Sequence, residues 1–160
     1  MKHRILPGIS ALILVAACGD GPAAPGGDSN SLTVSNAAPA SGNGTLTNIT
    51  VTVDENAAVA QGPAVYLSVS GQVGGVMHHF EVYILKSDNS LPNIEHLWGA
   101  SIATPEGFTI CDAGGVVGSP CAAAQVSASL TDQRVTFTGL ALTAATGDGD
   151  LSTINGTLVW

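Results

Sequence analysis

Ala64–Leu85 reads AVYLSVSGQVGGVMHHFEVYIL, two alternating apolar runs joined by Gly74-Gly75. Successive side chains of an extended strand point to opposite faces, so the first run places Val65, Leu67 and Val69 together on one side. A Gly-Gly pair readily adopts the left-handed backbone conformations that a two-residue hairpin turn requires. The stretch therefore predicts an antiparallel hairpin with one buried face.

Similar short apolar runs continue along the rest of the chain. Further short runs rich in Val, Thr, Ile and Leu lie at 32–35, 46–53, 96–103, 107–111, 126–130, 134–142 and 154–160. Residues 87–95 look like a polar loop, and Ser119-Pro120 is suited to begin a single helical turn. About nine short strands without a long helix predict an all-β fold. We expect an antiparallel β-sandwich, with a closed β-barrel as the alternative.

The N-terminal residues have a different character. A basic head, Lys2-His3-Arg4, precedes the apolar run Ile5–Ala17, which contains Pro7 and Gly8. A membrane-spanning helix needs about 20 apolar residues. This run is too short, so residues 1–17 are predicted to be a cleaved signal peptide.

The signal peptide leads into Val15-Ala16-Ala17-Cys18, an aliphatic residue and two small residues before a cysteine. This motif resembles the lipobox of bacterial lipoprotein precursors. The resemblance implies a diacylglyceryl group on the Cys18 thiol, cleavage before Cys18 and acylation of the new amino group. Gly19 stands where that family's inner-membrane retention signal would place Asp, which favours the outer membrane in a host that has one. Secretory cleavage after Ala17, leaving a free thiol, is the alternative.

The mature chain is acidic. Removal of residues 1–17 leaves 143 residues, which we divide into a Gly/Pro/Ser-rich tether (18–31) and a single β domain (32–160). Only Lys86 and Arg134 remain against twelve acidic residues, a formal charge of −10. Such a chain has no basic surface for a phosphate backbone, which argues against nucleic acid as a partner. Membrane attachment would depend on the acyl chains.

Cys111 and Cys121 form an even pair once Cys18 is set aside. In an exported protein this pattern predicts a structural disulfide, worth roughly 2.5–3 kcal/mol for a loop of this size. A redox pair or a thiolate metal site fits less well, because the Cys-x-x-Cys spacing is absent.

Three sets of residues could carry chemistry. His79 and Glu81 share one face of a strand, and His96 could add a third metal ligand from a neighbouring strand, against the default of a polar strand face. Asp148 and Asp150, in Gly147–Asp150, could bind calcium, although Gly and Asp are also the usual residues of a plain turn.

Trp98 is the first candidate for a sugar-binding or peptide-binding aromatic surface, together with Tyr66, Tyr83 and Phe108. No Gly-x-Ser-x-Gly motif marks a nucleophile.

These patterns favour a non-enzymatic, lipid-anchored envelope domain without a cofactor. It would bind an envelope protein or glycan, or play a structural role. One alternative is a metal-dependent or hydrolytic enzyme that uses His79, Glu81 and His96. Another is a calcium-stabilised adhesion module that uses Asp148 and Asp150.

Overall fold

The computed structural model describes residues 29–35, 43–112, 120–144 and 151–160. The predicted signal peptide, Cys18 and most of the tether lie outside the described residues, as do Ser119, Asp148 and Asp150. In the described ranges no helix is both long enough and apolar enough to cross a membrane.

Strands dominate the described part of the chain, which confirms the all-β prediction. They are β1 (Ser31–Ser35), β2 (Gly44–Thr45), β3 (Thr47–Val59), β4 (Gly62–Val73), β5 (Val76–Leu85), β6 (Asn93–Gly99), β7 (Gly107–Asp112), β8 (Val126–Ser129), β9 (Arg134–Ala144) and β10 (Leu151–Val159). A 3-10 helix at Ala123–Gln125 precedes β8.

All ten strands belong to one antiparallel sheet, in the order β2-β1-β10-β9-β7-β6-β5-β4-β3, with β8 beside β9. Leu46 alone separates β2 from β3, yet β2 pairs with β1 and β3 pairs with β4. One continuous stretch of chain therefore joins the two ends of the sheet. The sheet curls into a nearly closed barrel, so the predicted β fold takes its barrel form.

β7 and β8 together occupy one strand position. Both run antiparallel to β9 in the same direction, with Thr109 opposite Ala144 and Val126 opposite Phe137. The excursion between them is closed by the disulfide Cys111–Cys121, which confirms the predicted pairing. Counted in this way, with β2 and β3 also taken as one, the barrel has eight strand positions, each antiparallel to its neighbours.

The barrel interior is filled by side chains, as an eight-stranded barrel allows. The predicted hairpin forms as expected: Gly74 and Gly75 have φ values of 55° and 86°, and Val73 pairs with Val76. The residues that alternate inward from all around the barrel make one core, which includes Leu32, Leu67, Val69, Phe80, Val82, Ile84, Ile94, Val135, Phe137, Leu140, Leu142, Ile154 and Leu158.

β6 covers residues 93–99 instead of the predicted 96–103. The polar residues Asn93 and Glu95, interpreted as part of a loop, flank the fully buried Ile94 on an alternating strand. At the other end, Gly99 has φ 123° and the Glu106 N–H donates to the Trp98 carbonyl at 2.8 Å. The chain therefore leaves the sheet after Gly99.

Candidate functional site

Four polar side chains form a hydrogen-bonded series inside the barrel. We call His78, His96, Thr109 and Ser152 the buried polar chain, and each of them is 0% exposed. The Thr109 hydroxyl donates to Ser152 Oγ at 3.0 Å, and Ser152 Oγ lies 3.1 Å from His96 Nδ1. His96 Nε2 lies 2.9 Å from His78 Nδ1. Strands β5, β6, β7 and β10 thus each contribute one member.

Strand alternation and aromatic packing hold the two imidazoles in place. His78 shares the inward face of β5 with Phe80, and the β5–β6 register sets Phe80 opposite His96 and His78 opposite Trp98. The His96 ring stacks on Phe80 and on Trp98, with centroid distances of 4.3 and 4.6 Å. The ring orientation that serves both hydrogen bonds is therefore fixed by its neighbours.

Both imidazoles of the buried polar chain are neutral at neutral pH. Burial lowers the pKa of His78 to about 4. Burial, and then the charge of His78, holds the pKa of His96 well below its ordinary value. A neutral imidazole has one N–H. If Ser152 donates to His96 and His96 donates to His78, Thr109, Ser152 and His96 each donate once, and the N–H at His78 Nε2, which is buried, has no partner.

A serine hydroxyl beside a histidine nitrogen is the arrangement used in nucleophilic catalysis. Here Ser152 and His96 are completely buried, and neither lines the cavity beside Trp98 or the larger cavity beside Leu85. A substrate would have to enter a packed core to reach the hydroxyl. The arrangement therefore orders the interior of the barrel.

The sequence-predicted metal ligands are not brought together. His79 Nε2 lies 3.5 Å from Glu81 Oε1 on the outer face of the wall, whereas His96 faces the interior. The residue opposite Glu81 on β6 is Glu95, because the start of β6 at Asn93 places His96 at an inward position. In the described part of the chain no three His, Cys, Asp or Glu side chains are placed to hold a metal ion.

The outer wall of β4, β5 and β6 carries carboxylates and tyrosines close together. The rings of Tyr66 and Tyr83 are 4.8 Å apart. Burial, followed by the charge of Glu81, raises the pKa of Tyr66 to about 12. Burial and Glu81 also raise the pKa of Glu95, which accepts a 3.4 Å hydrogen bond from Asn93. This side of the wall is therefore acidic and partly desolvated.

Trp98, expected to offer a binding surface, lies in the core instead. It is 2% exposed, because its position on β6 alternates inward beside His96. Gly107 of the neighbouring strand lies against the indole, where a Cβ would collide with the ring. Tyr66, Tyr83 and Phe108 are half-buried on the outer face. The four aromatic residues therefore do not form one surface.

A cavity of about 510 Å³ opens where β6 and β7 stop short of the end of the barrel. We call it the mouth cavity. It lies between the β5–β6 connection and the segment that leads from Cys121 into β8. Its lining includes the apolar side chains of Leu85, Leu91, Pro92, Val126 and Ala128 and the polar residues Gln61, Asp88, Asn89 and Ser90. Small-molecule sites commonly occupy about 300–1,000 Å³, often at the mouths of barrels.

Sequence reasoning did not find the mouth cavity. Its residues come from three separate segments, and none of these carries a recognisable motif. The nearest signal was the disulfide, since Cys121 belongs to the lining.

The chain matches no protein-family model, no curated protein and no solved structure. The mouth cavity and the buried polar chain are therefore interpreted from their own geometry.

Proposed function

We propose that this protein is a lipid-anchored component of the bacterial cell envelope whose barrel binds a small amphipathic molecule in the mouth cavity. The observation that carries the binding role is the cavity of about 510 Å³ at one end of a barrel whose inward side chains form a packed core. The lipobox at Val15–Cys18 supports the anchor and the compartment. The burial of Ser152 and His96 favours binding over catalysis.

The lining of the mouth cavity indicates the chemistry of the ligand. Its apolar side chains suit a hydrocarbon or aromatic body. At the polar side, Asp88 Oδ1 accepts hydrogen bonds from the Ser90 hydroxyl at 2.7 Å and from the Ser90 N–H at 2.9 Å. These bonds lower the pKa of Asp88, so the carboxylate stays charged. A ligand with an uncharged or cationic polar group fits this lining, and an anion is disfavoured.

The cavity wall is held in position by the local hydrogen bonds of the β5–β6 connection. The Leu85 N–H donates to the Ser90 carbonyl at 2.8 Å, and the Asn89 N–H donates to the Leu85 carbonyl at 3.0 Å. Asn89 has φ 59°, a left-handed conformation that Asn tolerates better than most residues. On the opposite side, the disulfide ties Cys121 to Cys111 on β7. A preformed site loses little entropy when a ligand binds.

The test begins with Cys18→Ser in the bacterium. This change should move the protein from the membrane fraction to the soluble fraction, and unchanged fractionation would contradict the anchor. The purified soluble variant is then titrated with the neutral dye N-phenyl-1-naphthylamine and the anionic dye 1-anilinonaphthalene-8-sulfonate. We expect saturable fluorescence enhancement with the neutral dye and at least tenfold weaker binding of the anionic one.

Two neighbouring alanines provide a matched pair of variants. Ala123 lines the mouth cavity and Ala124 does not, although both are exposed on the same short segment. Ala123→Trp should weaken binding of the neutral dye at least tenfold, and Ala124→Trp should leave it unchanged. Equal binding by the two variants would place the dye elsewhere and remove the mouth cavity as the site.

A further inference from the structure

Within the ranges that the structure describes, one side of β3 has no neighbouring strand beyond the end of β2. β3 pairs with β4 along its length, whereas the pairing of β2 with β1 stops at Thr45, followed by the Leu46 N–H bond to the Leu32 carbonyl. From Ile49 to Val59 no other strand of the described residues lies along this side. We call this side, from Ile49 to Val59, the open edge of β3; it is where the barrel formed by the described strands is incomplete.

The hairpin turn determines which backbone groups of β4 face β3. A two-residue turn of the Gly74-Gly75 type makes Val73 and Val76 a hydrogen-bonded pair. Hydrogen-bonding direction alternates along an antiparallel strand. Val69 and Gly71 therefore bond toward β5, and Ser68 and Ser70 bond toward β3.

The same alternation identifies the free groups of β3. Thr50 lies opposite Ser70 and Thr52 lies opposite Ser68, so both threonines hydrogen-bond with β4. Ile49, Val51 and Val53 consequently direct their N–H and C=O groups toward the open edge. Exposed edges of this kind are templates for pairing with another strand.

Irregular backbone bounds this edge at both ends. Asn48 has φ 54° within a register shift between Thr47 and Thr50. A second shift follows Asp54, whose carboxylate accepts the Asn56 N–H at 2.8 Å. Ile49–Val53 is the regular, uncharged segment between the two bulges. Its Ile and Val side chains are half-buried against the core.

We propose that Ile49–Val53 pairs with the same segment of a second copy of this chain, antiparallel about a two-fold axis at Val51. This register sets Ile49 opposite Val53 of the partner subunit and Thr50 opposite Thr52 of the partner subunit. Apolar side chains then meet apolar ones, and hydroxyl meets hydroxyl. About six main-chain hydrogen bonds would form, because all three outward-facing residues become hydrogen-bonded pairs.

The distribution of charge allows a second copy in this register without repulsion between carboxylates. Asp54 falls opposite Asn48 of the partner subunit, and Glu55 falls opposite Thr47 of the partner subunit, so no carboxylate faces another across the pair. A centre at Thr50 or Thr52 would leave only two hydrogen-bonded pairs within Ile49–Val53 in place of three, and a centre at Val53 would run into the bulge at Asp54. Val51 is the centre that keeps the whole regular segment paired.

The residues that precede β1 are poorly suited to cover the same edge. Residues 19–28 are rich in glycine and contain Pro22 and Pro25, which lack a backbone N–H for a strand ladder.

Cysteine cross-linking of the Cys18→Ser chain tests the register directly. Thr50→Cys and Thr52→Cys are made in separate chains, because the proposed pairing brings residue 50 of one copy opposite residue 52 of the other. Mild oxidation of an equimolar mixture should give a cross-linked dimer, whereas either variant alone should give little. No cross-link in the mixture, or equal cross-linking of all three samples, would overturn the two-fold pairing.

Sedimentation of the chain without these cysteines gives a second measurement. We expect a concentration-dependent monomer–dimer equilibrium, and at least a tenfold weaker association for Val51→Pro, which removes an outward N–H. The double change Thr50→Lys and Thr52→Lys should weaken association similarly while sparing the backbone. A chain that stays monomeric until residues 19–28 are deleted would show that the tether covers the edge, and would overturn the proposal. Both readouts are independent of ligand binding in the mouth cavity.

Discussion

His78 and His79 are adjacent in the chain, yet they belong to opposite faces of the barrel wall. His78 joins the buried polar chain, where His96 and a packed aromatic core surround it. His79 lies on the outer face, 3.5 Å from the carboxylate of Glu81. A separation of one residue along a strand thus decides between a desolvated imidazole without a counter-ion and one beside a carboxylate.

The two faces also differ in how they manage polar groups. Along the described strands, the interior members of the buried polar chain are two imidazoles and two hydroxyls, with no Asp, Glu, Lys or Arg among the buried residues. The outer face of β5 and β6 instead sets Glu81 opposite Glu95. The interior depends on neutral hydrogen bonds, whereas the outer wall depends on solvent to screen its charge.

The largest expected difference between the two faces concerns packing. Trp98→Ala, in the interior, should reduce the free energy of unfolding by about 3–5 kcal/mol, because it leaves a cavity beside His96. Tyr83→Ala, on the outer face, should cost about 1–2 kcal/mol, since Tyr83 is only half-buried. Urea denaturation at neutral pH measures both changes. Similar losses for the two variants would contradict the separation into inner and outer faces.

A smaller difference should appear in acid. The folded pKa of His78, about 4, lies below its ordinary value of 6.5, so the unfolded chain binds a proton first as the pH falls. The part of the free energy of unfolding that depends on neutral His78, about 3 kcal/mol, is therefore fully present above about pH 6.5. It is lost progressively as the pH falls toward 4. His96 acts in the same direction.

The control for the acid sensitivity of His78 is a core residue that does not titrate. Urea midpoints between pH 7 and pH 4.5 should fall steeply for the parent chain and less steeply for His78→Phe, whatever the stability of that variant at pH 7. Phe137→Leu should keep the slope of the parent, because this buried side chain does not titrate. A slope unchanged by His78→Phe would show that the acid sensitivity originates elsewhere.

The smallest expected effect is a titration on the outer wall. Glu81→Gln should lower the pKa of Tyr66 from about 12, because it removes a negative charge that favours the protonated phenol, while burial, the larger cause, remains. Asp54→Asn replaces the residue opposite Tyr66 on β3 and should leave this pKa unchanged. Ultraviolet absorbance of the phenolate measures both. An equal shift in the two variants would mean that the effect is general and not specific to Glu81.

Local patterns predicted the parts of the fold that depend on local chemistry. Alternation placed Val65, Leu67 and Val69 in the core, and Gly74-Gly75 located the hairpin, because both follow from strand geometry and backbone sterics. The disulfide was predictable from the cysteine count together with the predicted export signal. The predicted start of β6 is wrong because Asn93 and Glu95 are polar residues typical of loops, whereas in the structure each occupies an outward position of the strand.

That error also affected the predicted site. A strand that begins at His96 does not determine which face its imidazole occupies, so the sequence allows His96 to join His79 and Glu81. Because β6 begins at Asn93, the β5–β6 register places His96 on the inner face, opposite Phe80. Register depends on long-range pairing, which composition does not record.

The amino-acid sequence by itself determined the β class, the hairpin, the disulfide and the acidity of this protein, because each depends on residue identity and short spacing. Only the tertiary structure decided that the sheet curls into a barrel, that His78, His96, Thr109 and Ser152 meet, and that a cavity opens beside Cys121. Residues that meet in this way lie up to 74 positions apart in the sequence, as His78 and Ser152 do. What brings them together is the closure of the sheet, a property of all the strands at once.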